Sequence, residues 1–361
     1  MTNFSFSSEN SSRVWYKLLD NSSDLFNASS TTGSLNGWFI LSISISVGGA
    51  TLLLLLIASS LVHEKLHKGS RVLVIHLMTM QLLICGIFYP ILNISSYLAM
   101  RHIKVNLNCT LLLFLEIATM HAEKWASLGL AVNRFVSLIC PRSYRLFTSK
   151  KVLIITVTLP WLIGLGDTLP VLFQIGGEFG TSAPFGLCVL YAAVRNGTYG
   201  IVWTTIGVYL PICLTGVLYL TLFARLSRRA RVGPEERKPS GRARAKQTRQ
   251  IALSKLLVAS FVWYSICYLP GPIVLTQFAA FYVRDVMLWL RTLTLLGYAV
   301  SPVIFLCLSQ EYRVGVRRLV SPMWCATAFH SANSIRGGSR ARKQLQHSVR
   351  SPSAWKLDLI P

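Results

Sequence analysis

Long apolar stretches alternate with short polar segments along the chain, and this alternation is the strongest pattern in the sequence. Each stretch has about 20 residues or more, which is enough for a helix to span the roughly 30 Å hydrocarbon layer of a bilayer. A strand in lipid would leave backbone groups unpaired, so each stretch is predicted to be a helix. The stretches cover 38–62, 72–100, 107–138, 152–173, 199–223, 251–282 and 286–308.

The composition agrees with a membrane protein. Hydrophobic residues make up 52% of the chain and charged residues 14%, whereas soluble domains are roughly 25% charged. Seven buried helices of a soluble protein are the alternative, but the length of the stretches and the leucine run at 52–56 disfavour it. We therefore predict an all-α membrane protein, a seven-transmembrane helix bundle.

The net charge of +23 would suggest a nucleic-acid partner in a soluble protein, so its distribution decides the interpretation. About 28 of the 36 Lys and Arg residues lie on alternate connections and in the C-terminal tail. Positive residues accumulate on the cytoplasmic side of membrane proteins. This predicts an extracellular N-terminus, a cytoplasmic C-terminus and no nucleic-acid partner.

Acceptor motifs for N-glycosylation fall only on the predicted outer side. Asn93 and Asn108 lie too close to the membrane for glycosylation to be expected. The expected sites are Asn3, Asn10, Asn21, Asn27 and Asn196. The first 17 residues lack the apolar core of a cleavable signal peptide, so the first membrane helix is predicted to act as a signal anchor.

Two of the eight cysteines lie on the predicted outer side. Cys109 begins the third span and Cys188 lies in the second outer connection, where a disulfide can form and persist. Two free thiols are the alternative. Four other cysteines lie inside the predicted spans, where they pack as small apolar side chains.

The chain divides into three predicted parts. Residues 1–37 form an extracellular glycosylated tail, 38–308 the helix bundle, and 309–361 an amphipathic helix followed by a disordered cytoplasmic tail. The segment 310–320 interleaves apolar residues with arginines, which is typical of a short eighth helix lying on the inner leaflet. Cys325, just beyond it, is either a palmitoylation site or a plain tail cysteine.

Several short motifs follow one another in a fixed order along the spans. Asn133-Arg134-Phe135 ends the third span, 25 residues after Cys109, and is followed by Pro141 and Tyr144. The later motifs are Trp161, Pro211 with Tyr219, Cys267-Tyr268-Leu269-Pro270 and Ser301-Pro302-Val303-Ile304-Phe305.

In this order and spacing the chain resembles a rhodopsin-like (class A) G-protein-coupled receptor over roughly residues 38–320. The resemblance implies a plasma-membrane protein with an extracellular ligand, a heterotrimeric G protein and arrestin as partners, and membrane lipid around it. The sequence shows no paired catalytic carboxylates, metal-ligand cluster or nucleophile motif, so no enzymatic activity and no cofactor are expected. It assigns the coupling of the G protein to Asn133, Arg134, Phe135, Pro141 and Tyr219.

The sequence departs from the family pattern in the centre of the bundle. Gln81 stands where the family keeps a sodium-binding aspartate, and Glu123 stands at a neighbouring position that is usually serine. A buried acid in lipid needs a partner or a proton. We expect Glu123 beside Gln81 and Ser301 as an element sensitive to cations or protons. The alternative is a packing ion pair with Lys124.

The inner end of the third span departs from the family pattern as well. Asn133 replaces the acid that restrains the following arginine in the family, and a neutral amide holds Arg134 less firmly than a carboxylate does. This predicts basal signalling. The opposing interpretation is that Tyr268, Ser301 and Phe305 weaken the switch and make a poor activator.

The resemblance places the ligand pocket between the third, fifth, sixth and seventh helices. Glu116 suggests a cationic ligand, but Arg291 is expected to face it and to form an ion pair with it. If the pair opens, an amino-acid-like, peptidic or other zwitterionic ligand satisfies both charges. The predicted lining is Glu116, Met120, His121, Tyr268 and Arg291.

Two other functions remain as alternatives. A transporter would show internal repeats or broken helix pairs, and neither is visible in the sequence. A receptor-fold protein that no longer couples, acting as a scaffold, is consistent with the altered motifs. The absence of lysine between 286 and 308 argues against an opsin.

Overall fold

The computed structural model describes residues 28–62, 68–139, 144, 149–182, 187–192, 197–231, 241–277, 284–309, 312–317 and 319. Several predicted sites lie outside these residues, namely Asn3, Asn10, Asn21, Asn27, Asn196, Pro141 and Cys325.

Helices make up nearly all of the described chain. They are α1 Ala28–Val62, α2 Lys68–Leu83, α3 Tyr89–Met100, α4 Cys109–Ile139, α5 Lys150–Leu172, α6 Gly197–Thr204, α7 Leu210–Arg231, α8 Gly241–Tyr268, α9 Pro270–Gln277 and α10 Arg284–Leu308. Two strands, β1 Gly177–Ser182 and β2 Leu187–Ala192, lie between α5 and α6.

Six helical segments of the described chain are long and apolar enough to cross a membrane. They cover 34–61, 71–100, 150–172, 201–225, 254–274 and 288–308. The long helix α4 is not among them because it carries three buried charged residues in its middle, Glu116, Glu123 and Lys124. These findings make the chain an all-α, multi-pass membrane protein.

Helix α4 is the central element of the bundle. It packs against α2, α5, α7 and α8, while α10 packs against α1 and α8. Gly164 of α5 lies directly against the backbone of α4: a Cβ atom there would collide with Ala118 O and lie 2.8 Å from the backbone nitrogen of Ala122. A side chain at this position would force α4 and α5 apart. The two helices therefore depend on this glycine for their contact.

The two strands form an antiparallel hairpin in which Thr181 is opposite Cys188. Cys188 is bonded to Cys109 at the start of α4, and Thr110 Oγ1 donates a hydrogen bond to Phe179 O at 3.0 Å. The predicted disulfide is thus confirmed, whereas the hairpin was not predicted. We call this end of the bundle the disulfide end, and the opposite end of α4 the Arg134 end.

Two helices contain a π-helical turn, at Ile84–Phe88 and Thr205–Tyr209. The first joins α2 to α3 and the second joins α6 to α7, so each pair continues as one span. The predicted sixth span, 251–282, lies on a helix that begins earlier, at Gly241, and is interrupted between Tyr268 and Pro270, because proline has no N–H to continue the hydrogen-bond ladder. The far end of this span lies outside the described residues.

After α10, residues 312–317 are again helical. Tyr312 is buried, and its ring lies 5.6 Å from that of Phe305 in an edge-on contact. Gly315 lies directly against Ser59 of α1, where any side chain would collide with the serine hydroxyl. This short segment therefore packs on the Arg134 end of the bundle.

Candidate functional site

An ion pair joins α4 to α10 near the disulfide end. Arg291 donates from one guanidinium nitrogen to both carboxylate oxygens of Glu116, at 3.0 and 3.1 Å. The Glu116 side chain is 6% exposed and that of Arg291 is 22% exposed. The ring of Tyr89 lies 5.4 Å from the guanidinium carbon, which adds a cation–π contact. The structure thus brings together the two predicted pocket residues of opposite charge.

Lys124 lies deeper in the bundle, in the middle of α4. Its side chain is almost fully buried, and Nζ donates to Met120 O at 2.7 Å. The ammonium group lies 3.8 Å from the ring centre of Tyr268 and 5.7 Å from that of Tyr264. Aromatic faces and one carbonyl therefore stabilise this charge.

The predicted alternative of a Glu123–Lys124 ion pair is not observed among the described residues, where the ion pairs within 4.0 Å are those of Arg291 and His121. The physical reason is helical geometry. Consecutive residues point about 100° apart and do not face each other. The two charges consequently enter different surroundings.

Glu123 accepts a hydrogen bond on Oε1 from Gln81 Nε2 at 3.2 Å. Its other oxygen, Oε2, is buried without a hydrogen-bond partner in the described part of the chain. Glu123, Gln81 and Ser301 all line one small cavity between α2, α4, α8 and α10, together with Ser260 and Tyr264. The three residues of the predicted polar core therefore do meet.

The residues that line the cavity carry carboxylate, amide and hydroxyl groups, which are the kinds of ligand that hard cations take. Ser260 and Ser301 share a hydrogen bond of 3.2 Å, and Tyr264 and Tyr298 share one of 3.1 Å. Among the described residues no cluster of three or more His, Cys, Asp or Glu side chains forms a transition-metal site.

His121 points away from this group of residues, toward α5. Its Nδ1 lies 2.9 Å from Asp167 Oδ2, and its ring lies 5.2 Å from the ring of Trp203. Glu116 and His121 are five residues apart on α4, so they project about 140° apart. His121 therefore does not share the surroundings of Glu116 and Arg291, although the sequence placed all three in one pocket.

The Arg134 end contains the predicted coupling residues. Asn133 and Arg134 are 5% and 4% exposed, and Ser137 Oγ donates to Arg134 O at 2.8 Å. Asn133 Oδ1 is buried without a hydrogen-bond partner in the described chain, so the amide oxygen does not restrain the arginine. Tyr219 is buried against the ring edge of Phe261 at 5.5 Å. Phe135 is partly buried against the main core.

Several buried polar residues were not singled out from the sequence. Asp167 had a usable signal, because an acid inside an apolar span is a functional candidate by default. Trp203, Tyr264 and Tyr298 had none, since aromatic residues in a span are ordinary packing residues.

The family model described as "7 transmembrane receptor (rhodopsin family)" matches residues 53–305, well over half of the chain. The chain belongs to this family of rhodopsin-like receptors. No curated protein matches the chain.

Proposed function

We propose that this receptor binds an extracellular ligand at the disulfide end and activates a heterotrimeric G protein at the Arg134 end. The observation that carries the proposal is the Glu116–Arg291 pair, at 3.0 Å across α4 and α10. It is the one ion pair of the described chain that joins α4 to α10, and a ligand with charges of its own can compete for both partners.

The membrane arrangement in this proposal has seven crossings. Six crossings are the apolar segments given above, and helix α4 supplies the remaining one. Its 31 residues exceed the length needed to span a bilayer, and its charged residues face other helices. Residues 1–37 form the extracellular glycosylated tail, 38–308 the bundle and 309–361 the cytoplasmic part. The helical segment 312–317 is the core of the amphipathic eighth helix, which contacts inner-leaflet lipid. The protein resides in the plasma membrane with its N-terminus outside.

The ligand in this proposal is zwitterionic. A purely cationic ligand would have to displace Arg291 from Glu116 and leave the guanidinium without its partner, which is costly in a buried site. A ligand with an amino group and a carboxylate replaces each partner of the pair with one of its own charges. Amino-acid-like and peptidic molecules have this chemistry.

The proposed transmission to the inside depends on Arg134. Asn133 carries a neutral amide whose Oδ1 makes no hydrogen bond in the described chain, so position 133 itself supplies no carboxylate to Arg134. Release of Arg134 toward a G protein is then easier than with an acid at position 133, and basal signalling is expected. Arrestin would use the same end of the bundle.

The experiment is a G-protein activation assay on cells that express the full chain, first without ligand and then with a panel of amino acids and short peptides. Arg134→Ala removes the coupling group, and Arg313→Ala, an exposed arginine at the same end, is the matched control. We expect basal activity in wild type and in Arg313→Ala, and its loss in Arg134→Ala.

A wild-type signal no higher than that of mock-transfected cells, at matched surface expression and across the panel, would reject the proposal. The chain would then be a receptor-fold protein that acts as a scaffold. Tyr268, one of the three residues expected to weaken the switch, lies under the ammonium group of Lys124, and this contact favours the second candidate.

A further inference from the structure

A turn near the outer end of α1 lies between α3 and α10, close to the Glu116–Arg291 pair. In this turn Phe39 stacks on α3, while the indole of Trp38 donates to α10. Tryptophan near the end of a membrane helix usually lies in the interface with lipid and water. Trp38 is only 2% exposed, however, so the burial of its indole has a reason within the bundle.

The indole of Trp38 has two acceptors on α10. Its Nε1–H donates to Thr292 Oγ1 at 2.8 Å and lies 3.3 Å from Leu288 O. The Thr292 hydroxyl donates in turn to Leu288 O at 2.9 Å. Thr292 is 6% exposed, so loss of the indole bond would leave polar groups buried without a partner, which is unfavourable.

These two acceptors bracket Arg291 along the helix. Leu288 and Thr292 are one turn apart and lie on the same face of α10, and Arg291 directly precedes Thr292. At about 100° per residue, Arg291 projects about 60° from Leu288 and about 100° from Thr292. A rotation of α10 that moves Thr292 away from the indole therefore also moves the guanidinium away from Glu116.

The turn of α1 that carries Trp38 is itself fixed from the other side. Asn36 Oδ1 accepts a hydrogen bond from Tyr97 Oη at 3.0 Å and one from Arg101 Nη2 at 2.7 Å. The rings of Phe39 and Tyr97 are stacked with their centres 4.2 Å apart. The indole of Trp38 is thus held against α10 from a turn that α3 keeps in place.

Packing alone is the simpler explanation for Trp38, because a buried aromatic ring fills the space between two helices. Packing requires the ring but not the N–H group. Here the N–H group meets the hydroxyl and the carbonyl of the one helical turn that carries Arg291. The hydrogen bond and the ring therefore have separable roles, and a variant that keeps the ring can distinguish them.

We propose that Trp38 is a positioning residue for Arg291. Its hydrogen bond to Thr292 sets the rotation of α10 at which the guanidinium reaches Glu116, and thereby sets how readily a charged ligand replaces the pair. The inference rests on the proposed function, because it takes the Glu116–Arg291 pair as the ligand site. Trp38 acts through α10 and does not touch the ligand.

The first test is a double-variant experiment on the purified full chain. Trp38→Phe keeps an aromatic ring and removes the N–H group. Arg291→Gln should lower the unfolding temperature in wild type, and the drop should be about a third smaller in Trp38→Phe, because the ion pair is already weakened there. Equal drops in wild type and in Trp38→Phe would overturn the proposal.

Trp161→Phe is the matched control. The indole of Trp161 also donates between helices, to His76 Nε2 at 3.0 Å, but it joins α5 to α2 and does not contact α10. Loss of this bond should lower stability without changing the effect of Arg291→Gln. If Trp161→Phe reduces that effect as much as Trp38→Phe does, the coupling is a general result of lower stability and the proposal fails.

A second pair of variants changes the acceptor and leaves Trp38 intact. Thr292→Val has the same shape without the hydroxyl, whereas Thr292→Ser keeps it. We expect Thr292→Val to reduce the effect of Arg291→Gln as Trp38→Phe does, and Thr292→Ser to behave as wild type. Thr156→Val is the control, because the Thr156 hydroxyl donates to Val152 O at 2.7 Å on α5. Equal behaviour of the serine and valine variants at position 292 would contradict the proposal.

The reaction of Arg291 with phenylglyoxal gives a readout at the site itself. Mass spectrometry of the peptide that contains Arg291 measures the rate of modification of its guanidinium. The rate should rise about fivefold in Trp38→Phe and in Thr292→Val, which is the effect of one hydrogen bond, and stay unchanged in Trp161→Phe. The same rate in all four proteins, including no reaction in any of them, would overturn the proposal.

Neither measurement uses a ligand or a G protein. A silent signalling assay would therefore leave the role of Trp38 intact, and a failure of these tests would leave the signalling proposal intact.

Discussion

Two acids on the same face of α4 have opposite surroundings. Glu116 is bonded through both oxygens to Arg291, whereas Glu123, two turns deeper, has one oxygen bonded to Gln81 and one without a partner in the described chain. Lys124, which could have neutralised Glu123, contacts aromatic rings instead. The outer pair is in direct ion-pair contact, while the two central charges lie near each other without such a contact.

Because of this difference, substitutions at the outer pair and at the central charges should change stability in opposite directions. Breaking a complete buried pair leaves an uncompensated charge and is strongly destabilising. Removing a charge that has no ionic partner relieves a desolvation cost and should stabilise the fold. Charges that destabilise the resting bundle are expected to serve another state of the protein.

The largest effect is expected from the outer pair. Arg291→Gln leaves the Glu116 carboxylate, 6% exposed, without its cation, and should lower the free energy of unfolding by about 3 kcal/mol. Glu116→Gln leaves Arg291, which is 22% exposed, and should cost less. Thermal unfolding of the purified protein measures both. The reversed pair, Glu116→Arg with Arg291→Glu, should recover part of the loss; a double variant no better than the singles would show that their contact contributes nothing.

Lys124→Met is expected to act in the opposite direction. Methionine fills similar volume between Met120 and Tyr268 without a charge, so the variant should gain about 2 kcal/mol after the lost cation–π contact is counted. Lys255→Met, at an exposed lysine of α8, is the control and should change stability by less than about 0.5 kcal/mol. A lower unfolding temperature for Lys124→Met would contradict the idea that the Lys124 charge destabilises the bundle.

Glu123→Gln removes the charge of the deeper of the two acids. Glutamine can still accept the hydrogen bond of Gln81 but carries no charge, so a gain of about 1 kcal/mol is expected. In wild type, sodium chloride should raise the unfolding temperature and shift the ligand response more than choline chloride does, because Glu123 lines the cavity and its Oε2 has no hydrogen-bond partner in the described chain. Equal responses of wild type and variant to sodium and to pH would remove Glu123 as a cation- or proton-sensitive element.

The smallest effect concerns the Arg134 end. Asn133→Asp restores a carboxylate beside Arg134, and a charge-assisted hydrogen bond is stronger than a neutral one by about 1 kcal/mol. Basal second-messenger production should fall about fivefold at equal surface expression. Asn106→Asp, an exposed position at the disulfide end, should leave it unchanged. Undiminished basal activity in Asn133→Asp would show that position 133 does not restrain the arginine.

The spans and the disulfide could be predicted because they depend on patterns local to the sequence. A run of apolar residues dictates a membrane helix wherever it lies, and Cys109 and Cys188 both fall on the predicted outer side. The Glu116–Arg291 contact was also expected, since both residues occupy positions that face each other in the family whose motifs the chain carries.

The partners of the other charged residues could not be predicted in this way. Helical geometry alone argues against a Glu123–Lys124 contact, because consecutive residues do not face each other. Which aromatic rings Lys124 meets, however, depends on the rotation of α4 and on which side chains α8 presents. His121 was assigned to the pocket of Glu116, although the helix turns it toward Asp167. Hydrogen bonds between helices depend on rotations of a few tens of degrees, and apolar periodicity specifies these only loosely.

The π-helical turn Thr205–Tyr209 has a consequence for how positions are transferred between related receptors. Such a turn holds one more residue than an α-helical turn, so everything on its far side is rotated by about 100° relative to an uninterrupted helix. Counting back from Pro211 along a regular helix would assign Trp203 to the wrong face. An alignment with a receptor that lacks the extra residue needs a one-residue gap within 205–209, and deletion of one residue there would turn the indole away from His121.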